Sequence, residues 1–363
     1  MGRVNHKDLI PGLPDDLGLE CLVRVPHQYF SSVSSVCRSW KRWIELPGFW
    51  RHRKASGLTR KVIVMAQARV DPTPGLGAKK HAVASTPVYR LTICEPETGY
   101  WAELPPVPGQ PGGLPMFCQL IGVGLNLVVL GGWNPVTWEV SNGVFIYNFI
   151  SATWRCGADI PGSKRSFFAC ASDSDRTVFV AGGHDEEKCA LKSALAYNVV
   201  EDKWIAMPDM SRGRDESKGV CIRGRFHVVG GYDTNMQGQF ETSAESFDIA
   251  TWQWGPVQED FLNNPMCPRN CVDDGDGRLF MSNDTHVIVR QGSTWQAVVE
   301  QPNSIRNMAF MAAWQDKMVV IGSERFGAPY ETLVLDLKSS KWKRVEVEED
   351  FVGHVQSGCC LEL

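Results

Sequence analysis

Two rhythms of apolar positions divide this chain. Between Leu13 and Trp50, large apolar side chains crowd into fewer than forty residues: Leu17, Leu19, Cys21, Leu22, Val25, Phe30, Val33, Val36, Trp40, Trp43, Phe49 and Trp50. Leu17, Cys21, Leu22 and Val25 fall on one face of a helix. Pro14 with Asp15 and Asp16 suits its start, where acidic side chains complement the helix dipole, and Pro26 ends it. Residues 27 to 46 leave room for two more short helices, and Pro47-Gly48 is expected to close the run before Phe49 and Trp50. Beyond about residue 60 the helical rhythm gives way to short β-branched runs stopped by turn residues.

Those runs repeat. "LVVLGG" ends at Gly132, "VFVAGG" at Gly183 and "FHVVGG" at Gly231, spacings of 51 and 48 residues. An apolar β-branched run halted by two glycines predicts a buried strand followed by a tight turn. A tryptophan follows each run: Trp154, Trp204, and Trp252 or Trp254. Tyr147, Tyr197 and Leu335 stand seven residues before Trp154, Trp204 and Trp342; by that spacing Trp254 fits, by the turn sequence Trp252. Extending the series outward adds Trp101, Trp295 and Trp342, making six units between residues 60 and 363. The double glycine decays to Gly322-Ser323 and Met281-Ser282, and the first unit, "KVIVMAQA", has lost it.

The opening segments of the units carry Cys118, Cys170, Cys221, Cys271 and the pair Cys359-Cys360. They read either as a redox or metal site or as small apolar residues repeated in innermost strands. The last opening segment, "HVQSGCCLEL", has no unit to open, and the first unit lacks one. It is therefore expected to supply the missing strand of the first unit and so remove the open edge.

Some 45 residues cannot enclose the apolar side chains of the helical segment, because so small a domain leaves too much surface exposed. Its apolar face is either a cap packed on the repeats or a docking surface for another protein. At 363 residues the chain is long enough for a large domain plus a small one, and it needs no disulfide or metal for stability. Net charge is −4, with no basic block longer than two residues, so nucleic-acid and anionic-membrane binding lack their electrostatic footprint. The start "MGRVNHKDLI" is no signal peptide, and Leu120 to Leu130 is too short to span a bilayer. The expectation is a soluble intracellular protein, cytoplasmic or nuclear or both, with its twelve cysteines as thiols.

The fifty-residue unit of strand, Gly-Gly, aromatic and Trp resembles the kelch repeat, one four-stranded blade of a propeller. Leu13-Pro14, Leu22, Val25, Val36-Cys37-Arg38-Ser39-Trp40, Pro47 and Trp50 resemble an F-box. Together they look like the plant F-box/kelch-repeat proteins, and "LPDDLGLECLVRVP" with "HVQSGCCLEL" is similar to the group implicated in turnover of phenylalanine ammonia-lyase and of cytokinin response regulators. The resemblance implies a tail over residues 1–8, a three-helix F-box over 9–54 and a six-bladed propeller over 60–363 closed by a C-terminal strand. It implies the substrate-recognition subunit of a cullin–RING ubiquitin ligase. Leu13, Pro14, Leu17, Leu22, Val25, Val36, Cys37, Trp40 and Trp50 would then bury against a Skp-type adaptor, while the propeller holds a target protein.

Polar residues just before the opening segments are candidates for holding that target: Arg165, Arg212, Arg214, Arg269 with Asn270, Arg306 with Asn307, and His354. This resembles the rim of other kelch adaptors, where the planar fork of arginine suits carboxylates. The other readings are solvated turns, or caps tying the blades. The insertions Ala68 to Pro87 and Tyr232 to Ser246 are further candidates.

Enzyme readings find little. The eight histidines show no ligand-like pairing for a copper oxidase, and "QGSTW" matches only the tail of one sialidase box. There is no G-x-S-x-G elbow and no P-loop, and "DDGDG" reads as a turn. No catalytic residue, metal or cofactor is expected. A kelch scaffold that does not deliver targets is the alternative function, and a kelch-type enzyme a distant third.

Overall fold

A computed structural model describes residues 9–69 and 87–363; the tail 1–8 and most of the insertion between Ala68 and Pro87 lie outside the described residues. The helical segment forms α1 (Asp15–Val23), α2 (Phe30–Val36), α3 (Arg38–Glu45) and α4 (Pro47–Ala55), with one turn of 3-10 helix at His27–Tyr29. This is one helix more than the sequence predicts. Pro47 does not end the run; it takes the first helical position of α4, where its fixed φ and missing N–H cost nothing. Leu22, Val23, Phe30, Ile44 and Phe49 form the core of the four helices.

The rest is six four-stranded antiparallel sheets arranged as a propeller. The first blade is made by Val355–Glu362, Lys61–Ala68, Tyr89–Glu95 and Tyr100–Glu103, so the C-terminal strand does close the ring. Its register runs from Lys61 opposite Glu362 to Gln67 opposite Val355. Blades two to six begin with the strands Gln119–Val123, Ala169–Ser172, Lys218–Ile222, Val272–Asp273 and Asn307–Trp314, which neighbour one another around the central channel.

The recurring tryptophans sit on outermost strands and pin each blade to the one before it. Trp154, Trp204, Trp254, Trp295 and Trp342 donate their indole N–H groups to the carbonyls of Pro105, Ala158, Pro208, Phe261 and Glu300 at 2.7 to 3.0 Å. Trp254 is the blade-four member, since it pairs with Phe247 as Trp204 pairs with Tyr197; Trp252 occupies the left-handed turn position two residues earlier, φ 59°. In each intact Gly-Gly both residues have positive φ. A Cβ on the second would also stand 2.7, 2.3 or 2.6 Å from the carbonyl oxygen of Met116, Ser166 or Asp215, so the repeat needs glycine there.

Burial accounts for the cysteines. Cys118, Cys170 and Cys271 are buried and Cys221, Cys359 and Cys360 partly so, all on or beside innermost strands. Burial pushes the thiols of Cys118, Cys271 and Cys360 up to about 12, so they stay neutral and pack as small apolar groups. Among the described residues no group of three or more His, Cys, Asp or Glu converges as a metal-binding set, and no helix is long and apolar enough to cross a membrane.

The helical domain sits on one end of the channel. Ile150 and Leu125 of the propeller join its core cluster, and the Ser34 hydroxyl donates to the Ile150 carbonyl at 3.3 Å. Across the same junction Glu362 accepts from Lys54 at 2.8 Å, Thr59 at 2.8 Å and Lys61 at 3.0 Å. Burial alone would raise this carboxyl, but the three donors outweigh it and hold it near 2. Because the folded value lies below the ordinary 4.5, its stabilisation is complete above the unfolded value and is lost as pH falls toward 2. With Lys54 largely exposed, screening leaves about 1–2 kcal/mol of it. Glu362→Gln is therefore expected to melt earlier than wild type at pH 7, and the gap should shrink at pH 3; equal melting at pH 7 would contradict the assignment.

Candidate functional site

The apolar residues of the helical segment divide into two sets that the sequence could not separate. Leu22 is 2% exposed and Val25 is half-buried, both inside the domain, and Trp50 packs edge-on against Phe30 and Phe49 where α4 lines the end of the channel. These three therefore serve the fold, which corrects the expectation that Leu22, Val25 and Trp50 face a partner. Pro14 and Cys37 are exposed, Leu17 is 50% exposed and Val36 61%, and Leu13 and Trp40 are half-buried beside them. Cys37 also caps α3, its sulfur accepting from the Trp40 backbone N–H at 3.4 Å. Trp40 donates its indole N–H to the Leu9 carbonyl at 2.7 Å, so it anchors the chain leading into α1 as well as contributing surface.

The segment packs on the propeller through one part of its surface and leaves other apolar side chains exposed. Trp50, Phe49 and Phe30 belong to the cluster that includes Ile150 and Leu125 of the propeller, whereas Leu17 and Val36 are exposed and lie outside it.

Sequence reasoning missed Arg53. It is 2% exposed, donates to the carbonyls of Val23, Val25 at 2.8 Å and Leu58 at 2.9 Å, and lies 4.8 Å from the Phe30 ring centre. Burial, with Arg60 nearby, lowers its guanidinium to about 10, so it remains charged at neutral pH. It ties the end of α1, α4 and the chain entering the propeller through one side chain. An arginine in a short basic stretch, "WRHRKA", gives no signal of this in the sequence.

The channel of about 1050 Å³ has unequal ends. At one, Pro47, Trp50, Arg51 and Lys54 of the helical domain line it; at the other stand Phe117, Phe167, Glu216, Arg269 and His354. The second mouth is the one on which the predicted rim residues bear. Arg269 and Asn270 line it, with Arg269 exposed, and so does His354, which hydrogen-bonds the Tyr89 hydroxyl at 2.9 Å.

Arg165 and Arg214 do not belong to that rim. They are 4% and 1% exposed, and they cap the Gly-Gly turns of their own blades. Arg165 donates to the carbonyls of Gly182 and Ser193 and to the Ser193 hydroxyl; Arg214 does the same with Gly230 and Ser243, and pairs with Glu245 at 3.1 Å. Buried, with both terminal nitrogens of each guanidinium bonded within the blade, they are unavailable to a target. Arg212 is held in an ion-pair network with Glu241 and Glu259. Arg306 is exposed and Asn307 bonds Ser323 at 3.4 Å, neither of them lining the channel.

What the open mouth offers instead is aromatic. Phe117 and Phe167 have ring centres 5.0 Å apart, Trp133 lies 6.3 and 6.4 Å from them, Trp138 lies 6.4 Å from Trp133, and His184 is 5.6 Å from Phe167. Phe117 and Trp138 are exposed. Phe117, Phe167 and Glu216 occupy equivalent places in successive blades and all adopt left-handed backbone, φ 60°, 53° and 48°. Such strain, about 1–3 kcal/mol per residue, survives only where surrounding structure imposes it and is concentrated at functional sites. The one available signal was positional: each precedes its innermost strand, in the register where only the charged neighbours drew notice.

Comparison with known proteins adds the following. The F-box domain model matches residues 10–52, and the Kelch motif model matches residues 165–211. Two F-box/kelch-repeat proteins of Arabidopsis thaliana are 47% and 46% identical to this chain, each over 98% of it and 100% of the relative. A third from the same plant is 34% identical over 72% of this chain and 69% of its own.

Proposed function

The chain belongs to the F-box/kelch-repeat family, and from that premise we propose that it is the substrate-recognition subunit of a cullin–RING ubiquitin ligase. F-box/kelch-repeat proteins are in general adaptors rather than catalysts; the F-box implies a Skp-type adaptor as partner, and the propeller a bound target protein. The observation that carries the reading is the division of labour across the molecule. The exposed apolar side chains Leu17 of α1 and Val36 of α2 stand outside the core that the helices share with Ile150 and Leu125 of the propeller, while the aromatic mouth stands at the end of the channel away from the helices. Adaptor and target would thus be held on separate surfaces, the helices and the far mouth. For Leu13, Pro14, Leu17, Val36, Cys37 and Trp40 the proposed role is contact with the adaptor. For Arg269, Asn270 and His354 it is contact with the target, together with the aromatic strip.

As targets we propose phenylalanine ammonia-lyase first and a cytokinin response regulator second, on the resemblance of the Leu13–Pro26 stretch and the C-terminal strand. Phenylpropanoid synthesis would then be the regulated process, with the protein acting in cytoplasm or nucleus.

Co-purification with a Skp-type adaptor tests the reading. Leu17→Asp with Val36→Asp places two charges on exposed positions outside the core, and is expected to weaken binding at least 30-fold, the scale of losing a central anchor of about 2 kcal/mol. Trp40→Ala should also weaken it, partly by releasing Leu9. Wild-type protein that is folded yet gives no complex would sink the docking role. Ubiquitination of a target that persists without residues 9–54 would favour the scaffold alternative.

A further inference from the structure

Beside the open mouth, between blades three and four, lies a pocket of about 150 Å³ lined by Trp133, Phe167, His184, Asp215, Glu216 and Tyr232, with Lys188 at its edge. It is too small for a folded segment and large enough for one side chain. Its walls are built by the repeat. The residues after the first two Gly-Gly pairs reach to the start of the next blade: the Trp133 indole N–H donates to the Ser166 hydroxyl at 2.7 Å, and the His184 Nδ1–H donates to Asp215 Oδ2 at 2.8 Å. Tyr232, which follows the third Gly-Gly, donates its hydroxyl to Glu216 Oε1 at the start of its own blade, at 2.9 Å. The rings are thereby fixed, and the second oxygen of Glu216 has no recorded partner among the described residues. Phe167 and Glu216, two of the three left-handed positions, both line this corner.

We propose that this pocket receives one basic side chain, arginine or lysine, from the bound target. Three aromatic walls supply negative ring faces, which attract a cation by about 1 kcal/mol or more when it is partly desolvated. Two carboxylates stand beside them, and arginine can meet Glu216 with its fork while stacking on a ring. The arrangement departs from the expectation of an arginine rim for acidic targets: two of those arginines are buried caps, and the functional charge at this corner is negative. Lys188, exposed on the edge, is the like charge that limits affinity for the free pocket. The inference deepens the proposed target-binding role and rests on it for the identity of the mouth, but its chemistry can be read without any target.

The test uses the full-length protein and three capped peptides, acetyl-Gly-X-Gly-amide with X Arg, Gln or Glu, followed through the indole N–H resonance of Trp133 assigned with Trp133→Phe. The Arg peptide is expected to move this signal saturably, with at least 5-fold tighter binding than the Gln peptide and more than that over Glu. Glu216→Gln should weaken the Arg peptide 3- to 10-fold, and Lys188→Ala should tighten it 2- to 3-fold, both with unchanged melting. Preference for the Glu peptide, indifference to Glu216→Gln, or no response to the Arg peptide at 20 mM would overturn the proposal. Adaptor co-elution measured on the same samples separates the two ideas: if the adaptor binds but the Arg peptide does not, the pocket assignment alone fails. If the peptide binds but the adaptor does not, the ligase reading fails.

Discussion

Deletion of residues 354–363 is expected to abolish the folded propeller rather than trim it. The strand Val355–Glu362 is the innermost strand of blade one, paired with residues Lys61 to Gln67, and Val355, Leu361 and Leu363 are buried. Its loss would unpair the inner edge of Lys61–Ala68 and open the ring between blades six and two. Gln356 would also vanish; it donates to the Pro115 carbonyl at 3.0 Å and accepts from the Phe117 backbone N–H at 2.8 Å, tying blade one to the start of blade two. Across the seam between blades six and one, Ile63, Met65 and Cys94 pack against Phe310, Ala312, Trp314 and Ile321, and Val355 of the closing strand belongs to the same core. Trp101, the blade-one tryptophan, has no hydrogen-bond partner for its indole among the described residues and packs on Phe351 at 5.6 Å. Each buried backbone group left unpaired costs about 1–3 kcal/mol, so a handful exceeds the 5–15 kcal/mol by which such a domain is stable. Thermal unfolding followed by tryptophan fluorescence should show no cooperative transition. A truncated chain melting at the wild-type temperature would refute the closure.

Arg53→Met is the second large effect, and it should be confined to the helical domain. The substitution keeps the aliphatic stem but leaves the carbonyls of Val23, Val25 and Leu58 without donors in an interior site. A loss of about 3–5 kcal/mol is expected, from breaking a buried charged network, and a domain of some 45 residues has little stability to spare. Amide hydrogen exchange should lose protection over residues 15–55 while the blades keep theirs, and adaptor binding should fall although Leu17 and Val36 are untouched. Arg53→Lys should rescue poorly, since one ammonium cannot span three carbonyls that a planar fork reaches. Unchanged protection across α1 and α4 would show that the helices hold without it.

Most of the architecture is legible in the chain because repetition writes it six times. One Gly-Gly is ambiguous; three at a period of about fifty, each trailed by a tryptophan, describe a blade. The C-terminal closure followed from counting opening segments against units, which needs no coordinates. The ambiguity of Trp252 and Trp254 was the kind that spacing leaves, and cross-strand register resolved it: a left-handed turn position cannot also be the strand residue facing Phe247. Pro47 misled because proline ends one helix and begins another with the same restriction on φ.

Candidate surfaces were less legible, and the arginines show why. Arg165, Arg214 and Arg269 occupy similar places in the repeat, yet the first two spend their donors on turn carbonyls and the third stands exposed at the mouth. Residue type does not say whether a guanidinium meets solvent or backbone. That depends on whether a Gly-Gly turn and a serine from the same blade converge on it, which is a property of three segments at once. Likewise Leu22 and Leu17 share a helix and a chemistry, and only the packing of Phe30, Ile44 and Phe49 against one of them separates core from surface.

The sequence by itself determined the number of blades, their order, the closing strand and the presence of a separate helical unit, because each of these follows from local patterns of burial and turn chemistry. Tertiary structure alone decided which mouth the helices cover, which arginines are free, and that rings from blades two, three and four meet beside two carboxylates. Those outcomes arise from residues some fifty positions apart brought together by the curvature of the ring, and no local pattern carries that distance.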